Sequence, residues 1–135
     1  MNQVVDFINV NRDRYIDELK QYLAIPSISA LPQYAGDVRR CAEWTAEEMK
    51  RIGLQTVRVE ETPGHPAVYG EWLGAEGAPT ILLYGHYDVQ PVDPLDLWHS
   101  PPFDPQLVDG PHGKRFVARG AVDDKGQTMM FIEAL

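Results

Sequence analysis

The sequence has little of what marks several common classes of protein. It has one cysteine, Cys41, so it cannot form an internal disulfide, and this is typical of a reducing cytoplasm. It has 12 basic against 20 acidic residues, and its net charge of -8 argues against nucleic acid as the partner, because phosphate backbones bind clustered Lys and Arg. The one basic cluster, Lys114, Arg115 and Arg119, is short and is interpreted as solvated surface charge.

No apolar run approaches the ~20 residues that span a bilayer, so we expect no membrane partner. The first residues do not resemble a signal peptide.

Several catalytic motifs are missing as well. The sequence contains no Gly-x-Ser-x-Gly, no P-loop, no Gly-x-Gly-x-x-Gly and no Cys-x-x-Cys. Serine-triad, nucleotide-binding and dithiol chemistry are therefore unsupported. What the chain does have is 44% hydrophobic and 24% charged residues over 135 positions, which is typical of one globular domain.

The order of the predicted elements indicates a layered α/β domain. Apolar spacing predicts helices over residues 4–23, 37–52 and 125–135, and strands over residues 54–60, 65–73, 80–84 and 114–118. The run Thr-Ile-Leu-Leu-Tyr at 80–84 is continuous and apolar, as in a central strand buried on both faces. Residues 85–113 are predicted to be mostly loop, and a loop of that length is usually functional. Cys41 lies on the apolar stripe of the second helix, which favours a buried hydrophobe over a nucleophile.

The end of the 80–84 strand carries the first candidate site. His86 and Asp88 are two residues apart, so in extended backbone they point to the same side. The Asp88 carboxylate can then bind one imidazole nitrogen and leave the other free for a metal. A strand-end histidine satisfied by a neighbouring carboxylate, with no metal, explains the pair better when it is taken alone.

A second candidate lies where the last strand meets the last helix. Asp123 and Asp124 follow Gly120 and precede Gly126, which predicts a tight backbone with one carboxylate facing a metal. An Asp pair that caps the helix is the alternative. Together with His86, an imidazole and a carboxylate suit zinc, and also manganese or cobalt.

These residues resemble a known family. Residues 83–91, Leu-Tyr-Gly-His-Tyr-Asp-Val-Gln-Pro, resemble the first metal motif of the M20 metallopeptidases, and residues 119–126, Arg-Gly-Ala-Val-Asp-Asp-Lys-Gly, resemble the second. Between them, Trp98, Pro102-Phe103 and Asp109-Gly110 follow in the order that the family shows. Because residues 25–29 and the early helices are also similar, the resemblance covers residues 1–135 as the N-terminal portion of the catalytic domain. The motifs look most like the dipeptidase and carnosinase-like branch.

The resemblance implies a layered α/β/α zinc-peptidase domain with a mixed central sheet, truncated on its C-terminal side. It implies two zinc ions, with His86 as a terminal ligand, Asp123 as the bridging ligand and Asp88 as the catalytic-motif residue that orients His86. It also implies a cis peptide between Asp123 and Asp124. The general-base glutamate, the other ligands and a lid and dimerisation domain would lie outside the chain. We therefore expect an inactive fragment of an enzyme whose intact form is consistent with a homodimer.

Other candidate ligands do not match the family's motifs. His65, His99 and His112 are interpreted as loop or surface histidines, and Glu133 does not lie in a ligand motif. Trp98 and Phe103 are expected to anchor the long loop.

Three functions remain open at this point. The first is a dipeptidase acting on small peptides. The second is a deacylase or desuccinylase of the same family, acting on an N-acyl amino acid. The third is a non-catalytic fold unit that keeps the motifs as structure.

Overall fold

Three α-helices are present in the structure, a computed structural model that describes residues 2–135. They are α1 at Asn2–Leu23, α2 at Ala35–Arg51 and α3 at Lys125–Ala134. All three predicted helices are confirmed, with ends that differ by one or two residues. The apolar stripe of α2 is buried as its spacing predicts, at Val38, Cys41, Ala42, Thr45 and Ala46. None of the helices in this part of the chain is long and apolar enough to cross a membrane.

The strands form two separate antiparallel pairs. Strand β1 at Thr56–Glu60 pairs with β2 at Ala67–Glu71, and β3 at Gln106–Gly110 pairs with β4 at Gly113–Val117. The predictions for β1 and β2 are confirmed with shorter bounds, and that for β4 with bounds shifted by one residue. Strand β3 was missed inside the predicted loop, because its five residues gain their structure from the partner strand across a tight turn.

The prediction of a central strand at residues 80–84 is wrong for the chain as described. Residues 80–84 are in no strand, and Ile81, Leu82 and Tyr84 are 79%, 89% and 80% exposed. The physical reason is that a strand exists only when neighbours satisfy its backbone groups, and none of the four strands within residues 2–135 pairs with this segment. The run keeps the composition of a central strand without the partners that would bury it.

The core lies where α1, α2 and α3 meet the first metal motif. The cluster consists of Tyr22, Ile25, Cys41 and Met129, with Leu19, Trp44 and Tyr87 packed against it. The rings of Tyr22 and Trp44 stack with centroids 4.7 Å apart. Cys41 is a free, fully buried thiol whose pKa is raised by burial, as expected of a structural cysteine. The core therefore sits directly beneath the predicted site.

Candidate metal centre

The first motif places Asp88 against His86 as predicted. Nδ1 of His86 lies 3.1 Å from Oδ1 of Asp88 and 3.1 Å from the main-chain oxygen of the same residue. A carbonyl oxygen can only accept, so Nδ1 carries the proton and donates it to this pair of oxygens. In the neutral ring Nε2 then holds a lone pair, which is the form that binds metals.

The second motif brings Asp123 to the other side of the same ring. Nε2 of His86 lies 3.1 Å from Oδ1 of Asp123. Both atoms are acceptors when the ring is neutral and the carboxylate ionised, so a proton or a cation must lie between them. A tetrahedral zinc ion separates a nitrogen and an oxygen ligand by ~3.4 Å, so the pair would fit zinc after moving apart by ~0.3 Å.

The electrostatics of the ring agree with that geometry. Burial lowers the pKa of His86, but its hydrogen bond to Asp88 and the charges of Asp88 and Asp124, with the hydrogen bond to Asp123, outweigh burial and raise the pKa overall. The side chains of His86 and Asp88 are 37% and 40% exposed, and that of Asp123 is 71% exposed. The site is thus an anionic, solvent-accessible place that attracts positive charge.

Asp124 links the two motifs and does not cap α3, the alternative considered from the sequence. It occupies the N-cap position of α3, yet its side chain makes no capping bond. Its Oδ2 instead accepts the main-chain N–H of His86 at 3.2 Å, and Thr128 donates to the same oxygen at 3.4 Å. The predicted cis peptide between Asp123 and Asp124 is confirmed. Asp124 therefore ties the second motif to the backbone of the first, while Asp123 faces outward.

Gly85 lets the two motifs approach this closely. A Cβ atom at Gly85 would lie 2.5 Å from Oγ1 of Thr128 and 3.3 Å from Oδ2 of Asp124. Any larger residue would push the first motif away from α3. The glycine in Gly-His-x-Asp is thus explained by packing.

Lys125 fixes the second motif from its buried side, and the sequence alone assigned this residue no role. It is fully buried, and Nζ donates to the main-chain oxygens of Tyr22 at 2.9 Å and Ile25 at 2.7 Å. These carbonyls lie at and just beyond the C-terminal end of α1, where the helix dipole favours a cation. Burial is the largest influence on the pKa of Lys125 and lowers it. Lys125 therefore anchors the turn of the second motif to the end of α1.

Residues 25–29 support the first motif from the same side. Val89 donates its N–H to the oxygen of Ser27 at 2.9 Å, and Ile28 forms a parallel bridge with Val89. Oγ of Ser27 donates to the oxygen of Tyr87 at 2.6 Å, and Oγ of Ser29 donates to Oδ2 of Asp88 at 2.5 Å. We call residues 25–29 the brace. Their Ile-Pro-Ser-Ile-Ser sequence gave no signal of these contacts, because the partners are about 60 residues away in the chain.

The remaining candidate ligands lie away from this centre. His99 and His112 are exposed, and His65 is half-buried with Nε2 2.9 Å from the oxygen of Ser29. Glu133 belongs to an ion-pair cluster with Arg14. Nowhere in residues 2–135 do three or more His, Cys, Asp or Glu side chains group as metal ligands would. The described residues therefore hold two facing ligand atoms.

Trp98 anchors the long loop as expected. Nε1 of Trp98 donates to the oxygen of Val92 at 2.9 Å, and the guanidinium of Arg119 lies over the Trp98 ring at 5.2 Å. Arg119 also donates to the oxygen of Pro91 at 2.9 Å. These contacts tie the loop to the turn that begins the second motif.

Comparison with known proteins identifies the centre's family. The model of "Peptidase family M20/M25/M40" matches residues 82–135, which contain both motifs. The chain is 33% identical to a cysteinylglycine-S-conjugate dipeptidase of Corynebacterium striatum, over 93% of this chain and 27% of that protein. It is 32% identical to a succinyl-diaminopimelate desuccinylase of Delftia acidovorans, over 90% of this chain and 30% of that protein.

Its backbone also matches a solved structure of the same group. Human carnosine dipeptidase 1 superposes with a TM-score of 0.86 at 28% identity, over 98% of this chain and 30% of that protein. The chain thus spans under a third of the length of the relatives it matches. The predicted α/β class is confirmed by this match, as part of a larger domain. With both motifs inside the matched residues and the fold shared along nearly its whole length, the chain belongs to peptidase family M20/M25/M40.

Proposed function

We propose that this chain supplies one side of a zinc site in a hydrolase that cleaves the peptide or amide bond of dipeptides or small peptides. The observation that carries the proposal is the 3.1 Å approach of Nε2 of His86 to Oδ1 of Asp123, which brings two atoms of the kinds that bind zinc to within ~0.3 Å of the separation they would have as its ligands. Relatives named as dipeptidases support the substrate class.

Each residue has a separate role in this proposal. His86 and Asp123 would be the residues of this chain that hold the zinc ions, and Asp88 holds the ring of His86 through Nδ1. Zinc, when bound, supplies Lewis-acid polarisation of the scissile carbonyl and activation of water. Cobalt or manganese suits the same donors.

We further propose that the 135-residue chain is inactive by itself. Two ligand atoms bind a metal weakly, and residues 2–135 bring no carboxylate beyond Asp88, Asp123 and Asp124 to the ring of His86 as a general base. The hydrolase activity then belongs to the intact enzyme. A cytoplasmic location is proposed from the free thiol of Cys41. The homodimer of the intact enzyme stays a prediction.

A desuccinylase is the second candidate function. The relative from Delftia acidovorans and another from Xanthomonas euvesicatoria, at 35% identity, carry that name and match as well in identity as the dipeptidases do. Such an enzyme would use the same His86 and Asp123 on an N-succinyl amino acid.

Substitution of the two ligands tests the metal site. In the polypeptide encoded by the whole reading frame, His86→Ala and Asp123→Ala should each lose zinc content and hydrolysis together. His99→Ala and Asp96→Ala change the same residue types at exposed positions away from the two motifs and should leave both unchanged. Full zinc occupancy in either ligand variant, measured by metal analysis, would show that its ligand role is wrong.

The substrate is tested on the same protein. Rates on dipeptides are compared with rates on N-acetyl and N-succinyl amino acids, with zinc present. Turnover of the acyl compounds alone would replace the dipeptidase by the deacylase. Absence of turnover on both, with zinc bound, would favour the non-catalytic unit.

A further inference from the structure

Ser29 is the residue of the brace whose side chain contacts a side chain of the metal centre. Its Oγ donates to Oδ2 of Asp88 at 2.5 Å. The other brace contacts to the first motif, from Ser27 and Ile28, reach main-chain groups of Tyr87 and Val89. Ser29 therefore acts on a different part of the motif from its neighbours.

The contact matters because the two oxygens of Asp88 have different partners. Oδ1 faces Nδ1 of His86 at 3.1 Å, and Oδ2 takes the hydroxyl of Ser29. A carboxylate that is 40% exposed is free to rotate and to bind water instead. With Oδ2 held, rotation of the carboxylate would break a charge-assisted hydrogen bond, so Oδ1 stays directed at the ring.

Ser29 is itself held in place from two sides. Its main-chain oxygen lies 2.9 Å from Nε2 of His65, and the preceding Ile28 is fully buried and bridged to Val89. The hydroxyl is thus presented from a fixed backbone. An exposed serine on a mobile loop could not fix the carboxylate in this way.

We propose that Ser29 is a positioning residue of the metal centre, acting on His86 through Asp88. The inference rests on the proposed function, in which His86 binds the metal. Ser29 reaches the ring only through a further hydrogen bond, to Asp88. Loss of its hydroxyl should therefore lower zinc affinity less than loss of the Asp88 carboxylate. Loss of partners around metal ligands typically costs ~10–100-fold in affinity, and for Ser29 we expect ~3–10-fold.

The experiment compares Ser29→Val with Ser29→Thr in the polypeptide encoded by the whole reading frame. The two variants have nearly the same shape, and only threonine keeps the hydroxyl. Ser100→Ala, at a half-buried loop serine, is the control for loss of a hydroxyl elsewhere. Circular dichroism checks that each variant is folded.

Two readouts follow the ring of His86 by NMR with ¹⁵N-labelled histidine. The first is the hydrogen-exchange rate of the Nδ1 proton without metal, and the second is the zinc dissociation constant from a titration of the ring signals. Ser29→Val should speed exchange and weaken zinc binding, while Ser29→Thr should match the wild type. In an Asp88→Ala background, Ser29→Val should add nothing.

Three results would overturn the inference. The first is that Ser29→Val behaves like Ser100→Ala in both readouts. The second is that Ser29→Thr loses as much as Ser29→Val, which would indicate a role of shape. The third is that Ser29→Val adds its full effect to Asp88→Ala, which would indicate a route that bypasses Asp88. Ring signals of the wild type that ignore zinc would contradict the ligand role of His86 instead, while exchange at Nδ1 would still decide the role of Ser29.

Discussion

The first metal motif and residues 80–84, which directly precede it, differ sharply in burial. The motif rests on the brace, in which Ser27 and Ile28 are fully buried, whereas Leu82 is 89% exposed. Residues 80–84 line an open groove of about 810 Å³ together with β2 and α3. The contacts that hold the first motif come from the brace, within residues 2–135. The apolar run at residues 80–84 would form a strand only if neighbouring strands paired with it.

The largest effect is expected at Lys125, on the buried side of the comparison. Lys125→Ala leaves a cavity and removes the ammonium donor from the carbonyls of Tyr22 and Ile25, which keep only main-chain donors, the N–H groups of Ile25 and Ser27. We expect the free energy of unfolding to fall by ~3–5 kcal/mol, since a hydrogen bond to a charged group contributes ~1.5–3 kcal/mol and the lost volume adds to it. Urea unfolding measures it.

Lys114 offers the control for this prediction. Its ion pair with Asp109 is exposed on both sides, at 52% and 89%. Lys114→Ala should change stability by less than ~1 kcal/mol. Equal losses at the two lysines would show that Lys125 does not anchor the second motif.

A matched pair of isoleucines tests the comparison directly. Ile28 is fully buried in the brace, and Ile81 is 79% exposed in residues 80–84. Ile28→Ala should lower the free energy of unfolding by ~2–4 kcal/mol, and Ile81→Ala by less than ~0.5 kcal/mol. A similar loss at both positions in urea unfolding would mean that residues 80–84 are buried in solution.

Gly85 lies at the boundary between the two regions. Gly85→Ala forces Thr128 and the first motif apart, and we expect a loss of ~1–3 kcal/mol, as for other overpacked sites. Gly36→Ala, on α2 with open space around it, should be neutral or stabilise by up to ~1 kcal/mol, because alanine favours a helix. Thermal unfolding of both variants gives the comparison, and a neutral Gly85→Ala would contradict the close approach.

The smallest effect is expected at the neighbouring carboxyl groups of Glu133 and Glu18, which are remote from the two motifs. Burial is the largest cause that raises the pKa of Glu133 to about 7, helped by the hydrogen bond and charge of Glu18 and opposed by Arg14. Arg51, which itself pairs with Glu48, faces the same group.

The sign of the pH effect follows from that shift. A carboxyl group with a raised pKa stabilises the fold fully below its ordinary value, and the contribution is lost as pH rises through about 7. Stability should therefore fall between about pH 5 and pH 7, and Glu133→Gln should remove part of that fall. Melting temperatures across this range measure it, with Glu47→Gln at an exposed site as control.

The sequence predicted the parts of this chain that depend on nearby residues. The helices followed from apolar spacing, and the contact of Asp88 with His86 followed from a separation of two residues. The approach of Asp123 to His86 came from the family resemblance, since 37 residues separate them. That Asp123 binds a metal stays a prediction.

What the sequence did not predict depends on distant contacts. Ser29 meets Asp88 across 59 positions, and Lys125 meets Ile25 across 100. Neither pair leaves a periodic signal, because each is set by how the core packs. The prediction of a strand at residues 80–84 failed for the opposite reason. The apolar run is a strong sequence signal, but a strand also needs partner strands.

The contact of Lys125 with Ile25 is also a late event in the synthesis of the chain. Ile25 and the first motif leave the ribosome well before Lys125, which reaches back over 100 positions to complete the support of the site. Contacts of such separation form slowly, because the chain must first close a long loop. During translation the brace and the first motif are therefore both made before Lys125, the donor that links the second motif to the brace at Ile25.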